Sequence, residues 1–271
     1  MRASMRRIWG MLFRHVSLYR RSWPRLLELA YWPTLQMVIW GLTARFFAAR
    51  LGAAGASGAL LTAASVLLGG VLLWEFALRS QMGVAISFLE EIWSRNLGHV
   101  FVSPLRPAEL VTALFTISVL RTLAGVLPAV LLAWALYAFN LFAMGPVLIL
   151  FVVNLMAMGW WVSLAVVSLI LRHGAGAEAL AWSVLFGLAP FSCVFYPVST
   201  LPAALRPLAL ALPSAHVFEG MRAALGHGVI AWGHLGWAIG LNAVWMAAAS
   251  VLFAHQFRAA RVRGALLTIG E

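Results

Sequence analysis

Few side chains in this sequence can do chemistry, and their positions narrow what that chemistry could be. Two acid–base pairs stand at helical spacing, Glu75 with Arg79 and Glu219 with Arg222; residues three or four apart face one another on a helix and can form ion pairs. The adjacent carboxylates Glu90 and Glu91 lie beside Trp93 and Arg95. That grouping suits docking to another protein, since interfaces favour an aromatic anchor within a polar rim; the competing reading is a helix lying on lipid. Arg121 falls inside an apolar stretch, where a charge costs about 2.5 to 3.5 kcal/mol even on a lenient insertion scale. We expect Glu75 to pair with Arg121 in the membrane and Arg79 to reach for the inner headgroups, the alternative being that Arg121 snorkels as well.

What is missing excludes whole classes of activity. All 19 basic residues are arginine and all 8 acidic residues are glutamate. Without lysine there is neither a phosphate-binding loop of the Walker type nor an imine-forming amine. Cys193 is the single cysteine, so an intrachain disulfide and a multi-cysteine metal site are both ruled out. His216, His227, His234 and His255 show no compact ligand spacing, and no metal site is expected. Serine, histidine and acid do not group into a nucleophilic triad, so no catalytic residue is assigned. Trp160, Trp161 and Trp182 are read as packing or interface residues.

The elements that must position these groups are membrane helices. The 271 residues are 63% hydrophobic and 10% charged, against about a quarter charged in a soluble domain. Runs 51–74, 122–171, 179–205 and 223–257 carry no charge. The longest needs two spans, with a turn at Asn140 to Pro146. Six spans result, near 26–49, 57–78, 112–139, 146–171, 178–197 and 229–256, each about the length that crosses 30 Å of hydrocarbon. Fourteen arginines then lie on one side and three on the other, which orients both termini to the cytoplasm. The net charge of +11 is therefore a topology signal rather than a nucleic-acid footprint.

Outside the spans, residues 1–25 form a separate element. Met5, Ile8, Trp9, Leu12, Phe13, Val16 and Tyr19 share one helical face, with Arg7, Arg14 and Arg21 opposite, the pattern of a helix lying in the membrane surface. The arginines are spread through it, unlike a cleaved signal peptide. In the loop 85–106, Ile86, Leu89, Trp93 and Leu97 share a face while Glu90, Glu91, Ser94 and Arg95 lie elsewhere, predicting a short amphipathic helix. From 198 to 227 the chain stays apolar although Pro197, Pro202, Pro207 and Pro213 prevent one continuous helix. Two short helices dipping into the outer leaflet reconcile these facts, the second from about Ser214 to Leu225. An apolar loop packed on its own spans is the alternative.

Together the basic amphipathic start, Ser103-Pro104-Leu105-Arg106, the run Phe191 to Pro202, and Leu-Pro-x-x-His-x-x-Glu-x-x-Arg from Leu212 to Arg222 resemble the ABC-2 type permeases. These are membrane subunits of ATP-binding-cassette exporters, including those for nodulation lipo-oligosaccharides, surface polysaccharides and hydrophobic drugs. Ser214 stands where relatives often carry threonine. The resemblance implies an all-α polytopic protein, residues 26–271 forming a six-span domain that pairs with a second copy, and separate ATPase subunits that carry ATP and Mg. It makes Ile86, Leu89, Glu90, Glu91, Trp93 and Arg95 an ATPase-docking coupling helix and 1–25 a connecting helix. Pro197, Pro202, Pro213, His216, Glu219 and Arg222 become parts of an outer re-entrant gate. The implied function is outward movement of an amphiphilic or lipid-linked substrate, in a bacterial inner membrane that the arginine-only basic set also suits. A membrane-embedded lipid enzyme and a non-transporting scaffold are the alternatives; a secondary transporter would show internal repeats, and none is evident.

Overall fold

The computed structural model describes residues 2–20, 23–52, 57–96 and 106–262, and these are helical almost throughout. The helices are α1 (Arg2–Arg20), α2 (Trp23–Gly52), α3 (Ser57–Trp93), α4 (Pro107–Tyr137), α5 (Val147–His173), α6 (Leu180–Leu188), α7 (Arg206–Leu210), α8 (Pro213–His227) and α9 (Trp232–Val262). Among the described residues four helices are long and apolar enough to cross a membrane: Thr62–Trp93 within α3, and α4, α5 and α9. Helix α2 has the length, but carries Arg25, Glu28, Arg45 and Arg50 along it.

Local chemistry sets the boundaries. Helix α4 opens on Pro107, where a missing N–H costs nothing, and the backbone N–H of Arg106 donates to Glu109 Oε2 at 3.0 Å. It closes at Ala138 in the left-handed region. The expected turn follows: the Asn140 side chain accepts from the Phe142 N–H at 3.0 Å, and Gly145 takes φ +66 before α5 begins. Helix α8 likewise starts on a proline and ends at Gly228, φ +66, within two residues of the predicted limits.

Two expectations are corrected. The predicted amphipathic helix of the loop 85–106 is not a separate element: Ile86 to Trp93 are the last turns of α3, which passes its expected end at 78. The predicted fifth span is helical only over the nine residues of α6, about 14 Å. Pro190 follows at once and Cys193 sits at φ +55, so 189–197 continue as turns. This stretch nevertheless travels the length of α3. Glu178, just before α6, binds Trp93 at 3.2 Å, whereas the Val194 carbonyl lies against Gly70 and Phe195 stacks on Trp40 at 4.9 Å. Gly70 to Trp93 is about 35 Å of helix.

Helix α3 is the centre of the bundle, packing on α2, α4, α5, α6 and α8, while α9 packs on α5 and α8. Lipid offers little hydrophobic drive between helices, so close backbone approach at small residues matters more. A Cβ placed on Gly159 of α5 would come within 2.1 Å of Ser80 Oγ and 2.6 Å of the Ala77 carbonyl on α3. Ser80 in turn donates to Met156 O at 3.3 Å, Ser118 of α4 donates to Ser80 O at 2.8 Å, and Trp160 donates to Ser118 Oγ at 3.2 Å. These buried hydroxyls tie α3, α4 and α5 together.

Candidate functional site

One end of the bundle is held by α1. Its apolar residues Met5, Trp9, Phe13 and Val16 are exposed. Two of its arginines turn inward, however. Arg7 grips Glu109 at the start of α4, Nε to Oε2 at 2.8 Å and Nη2 to Oε1 at 2.5 Å, and Ser4 Oγ adds a bond at 2.6 Å. Arg14 Nη1 donates to Glu91 near the end of α3. His15, 1% exposed, lies between the two carboxylates, Nδ1 3.6 Å from Glu90 Oε2 and Nε2 3.6 Å from Glu91 Oε1.

This arrangement changes the reading of the docking residues. Glu91 is 1% exposed and also accepts from Asn96 Nδ2 at 2.6 Å; it holds α1 and the end of α3 and is not a free docking contact. Glu90 is half-buried and faces His15, Leu89 is buried, and Ile86 lines a cavity. Trp93, 52% exposed, and Arg95 remain on the surface. Ser103, Pro104 and Leu105 lie outside the described residues.

Next to this junction a cavity of about 520 Å³ opens between α2, α3, α4 and α6. Its lining combines the rings of Trp32, Trp93, Trp182 and Phe186 with the charged groups of Glu28, Glu75, Arg79, Glu90 and Arg121. Glu75 and Arg121 thus share a cavity, yet the ion pair expected between them gives way to another. Glu75 Oε2 accepts from Arg79 Nε at 3.1 Å, one turn along α3, while Arg121 Nη1 donates to Ser87 Oγ at 2.9 Å. The i, i+4 neighbour on the same helix is already within reach and needs no second helix to align.

At the other end, α8 packs into the bundle between α3, α5 and α9. Phe218 lies 6.3 Å from Trp74, and Gly220 abuts Phe151. The pair Glu219–Arg222, with Nη2 3.3 Å from Oε1, does more than decorate a surface. Glu219 Oε1 accepts from the Val198 N–H at 2.7 Å, and Arg222 Nη1 donates to Cys193 O at 3.0 Å. Both side chains therefore hold the chain that follows α6, Glu219 at the first residue of the short 3-10 turn Val198–Thr200 and Arg222 at Cys193. Pro213 begins α8 and is buried, whereas Pro197 and Pro202 are exposed. His216 is buried with its Nδ1 3.2 Å from His234 Nδ1 and its Nε2 3.0 Å from Leu210 O.

The family model for ABC-2 type transporters matches residues 6–225, from α1 through most of α8. The chain belongs to the ABC-2 type transporter family. A comparison with curated proteins gives no match. As an ABC-2 chain it is a multi-pass membrane protein and the transmembrane permease of an ABC transporter, a membrane component rather than an enzyme. Permeases of this family generally work with an ABC ATPase subunit.

Three relationships in this ABC-2 permease had no signal in the sequence. Arg7 and Glu109 lie far apart along the chain, and an amphipathic pattern assigns arginines to the polar face without naming their partners. His216 and His234 meet only because α8 turns back onto α9. Asn242 of α9 donates to Asn154 O and Oδ1 at 3.0 Å and accepts from Trp161 Nε1 at 3.1 Å, a buried polar knot between two helices that read as plain apolar spans.

Proposed function

We propose that this permease is half of an ATP-driven exporter that moves an amphiphilic or lipid-linked substrate outward by alternating access. Two copies pair in the bacterial inner membrane with both termini in the cytoplasm, and separate ATPase subunits, which bind ATP and Mg, dock at the inner end. The docking surface is the exposed end of α3, Trp93 with Arg95, beside α1. At the outer end α8 is a re-entrant gate element, held to the preceding chain by Glu219 and Arg222.

The observation that carries this reading is the junction at the inner end. Bonds from Arg7 to Glu109 and from Arg14 to Glu91 fasten α1 to the two helices that flank residues 97–105. A push delivered there by a partner reaches α3 and α4 as one body, and α3 runs beside both the cavity and α8. The charge-assisted Arg7–Glu109 pair is bidentate and so fixes orientation as well as distance, which a mechanical linkage requires.

The test is co-purification of the tagged chain from its native cells in mild detergent, with mass spectrometry and an ATPase assay on the eluate. A stoichiometric nucleotide-binding subunit, lost in Arg95→Glu while the permease still folds, is expected. Recovery of the chain alone, folded and without ATPase activity in several detergents, would overturn the exporter reading and favour a scaffold.

A further inference from the structure

We infer that the inner cavity binds an organic cation with an apolar body. The inference rests on the exporter reading only in calling this ligand the cargo; binding itself does not depend on an ATPase. The cavity, about 520 Å³, is in the size range of small-molecule sites. Its two walls carry aromatic rings: Trp32 from α2, Trp182 and Phe186 from α6, all of them substantially exposed rather than packed into the core. The face of such a ring attracts a cation, tryptophan most strongly.

The charges select the same sign. Carboxylates outnumber guanidinium groups in the lining, three to two: Glu28, Glu75 and Glu90 against Arg79 and Arg121. Arg79 is committed to Glu75 at 3.1 Å and Arg121 to Ser87 at 2.9 Å. Glu28 is exposed, and among the described residues no cationic group pairs with it. An anionic ligand would have to draw Arg79 off Glu75 or Arg121 off Ser87, and would face the Glu28 carboxylate besides. A cation breaks no bond, and finds a carboxylate at the mouth and rings along the walls.

Two probes of near-equal size and opposite charge separate charge from greasiness: tetraphenylphosphonium and tetraphenylborate. Each is titrated against the purified chain in zwitterionic-lipid nanodiscs, with uptake by empty nanodiscs subtracted. Saturable tetraphenylphosphonium binding, at least tenfold tighter than tetraphenylborate, is expected. Glu28→Gln should weaken it at least fivefold, Trp182→Ala likewise, and Glu28→Arg should narrow or invert the preference. Thermal midpoints near wild type show that each variant is folded; the two independent positions cover the case in which one is not. Equal affinity for the two probes, a preference for the borate, no saturable binding, or unchanged affinity in folded Glu28→Gln would each overturn the inference. Because the ATPase is absent, these outcomes are distinct from failure of the exporter reading, which co-purification judges.

Discussion

Arg7 holds Glu109 through both Nε and Nη2, at 2.8 and 2.5 Å, so α1 is bonded to the first turn of α4, a helix long and apolar enough to cross a membrane. The pair is fork-to-fork, the geometry in which arginine gains most over lysine. Two helical turns later Arg14 adds a single-point bond to α3, from Nη1 to Glu91 Oε2.

Arg7→Gln and Glu109→Gln should each release α1. Hydrogen exchange followed by mass spectrometry is expected to show at least tenfold faster exchange across residues 4–16, with α4 and α5 little changed. The swapped double variant, Arg7→Glu with Glu109→Arg, should recover part of the protection. Unchanged exchange in both single variants would mean that α1 is held by its apolar contacts instead.

Gly159→Ala should force α3 and α5 apart, because the added methyl meets the Ala77 carbonyl and Ser80 Oγ. A loss of about 1–3 kcal/mol, typical of overpacking, should lower the thermal midpoint in detergent. Gly187→Ala on α6 is the matched control: its added methyl meets nothing within 4 Å, and alanine is the better helix former, so it should be neutral or mildly stabilising.

Asn242→Leu should cost about 1–2 kcal/mol, because it removes the partner of Trp161 Nε1 and of the Asn154 side chain together. Unfolding in mixed micelles gives the value. A loss below a few tenths would show that Asn154 and Trp161 find each other in its absence.

Burial holds His216 below its usual pKa of 6.5, opposed by the hydrogen bond to the Leu210 carbonyl, with smaller contributions from His234, which lowers it, and Glu219, which raises it. A base whose folded pKa is lowered resists protonation in the folded state, so stability is highest above pH 6.5 and falls as the pH drops below it. The thermal midpoint should be lower at pH 5.5 than at 7.5, and the difference should shrink in His216→Gln. Equal pH dependence in variant and wild type would remove His216 from the cause.

Much of this architecture was legible from residue order, and what was not shares a physical reason. The turn at Asn140–Pro146 and the limits of α8 follow from local signals, side-chain caps and prolines that act within one or two turns of chain. The hydropathy of 178–197 predicts a span, but apolar character is not helicity: α6 ends at Leu188, just before Pro190. The candidate cavity was legible only in pieces. The Glu75–Arg79 spacing already offered the partner that Glu75 takes, whereas the turn of Arg121 to Ser87 depends on how α3 and α4 lean together. The burial of Glu91 depends on α1 folding back, which no helical wheel of residues 86–97 contains.

The contact between Gly159 and Ser80 falls near the middle of α3, about 20 Å from Trp93 and about 15 Å from Gly70 along the helix. Two rods touching there form a fulcrum. Any tilt of α3 about α5 that swings the Trp93 end one way must swing the Gly70 end the other, by about three quarters as much. Val194 rests on Gly70, and Met221 of α8 is next to it. The bundle is thereby a see-saw of nearly equal arms, and a glycine is what lets its pivot close.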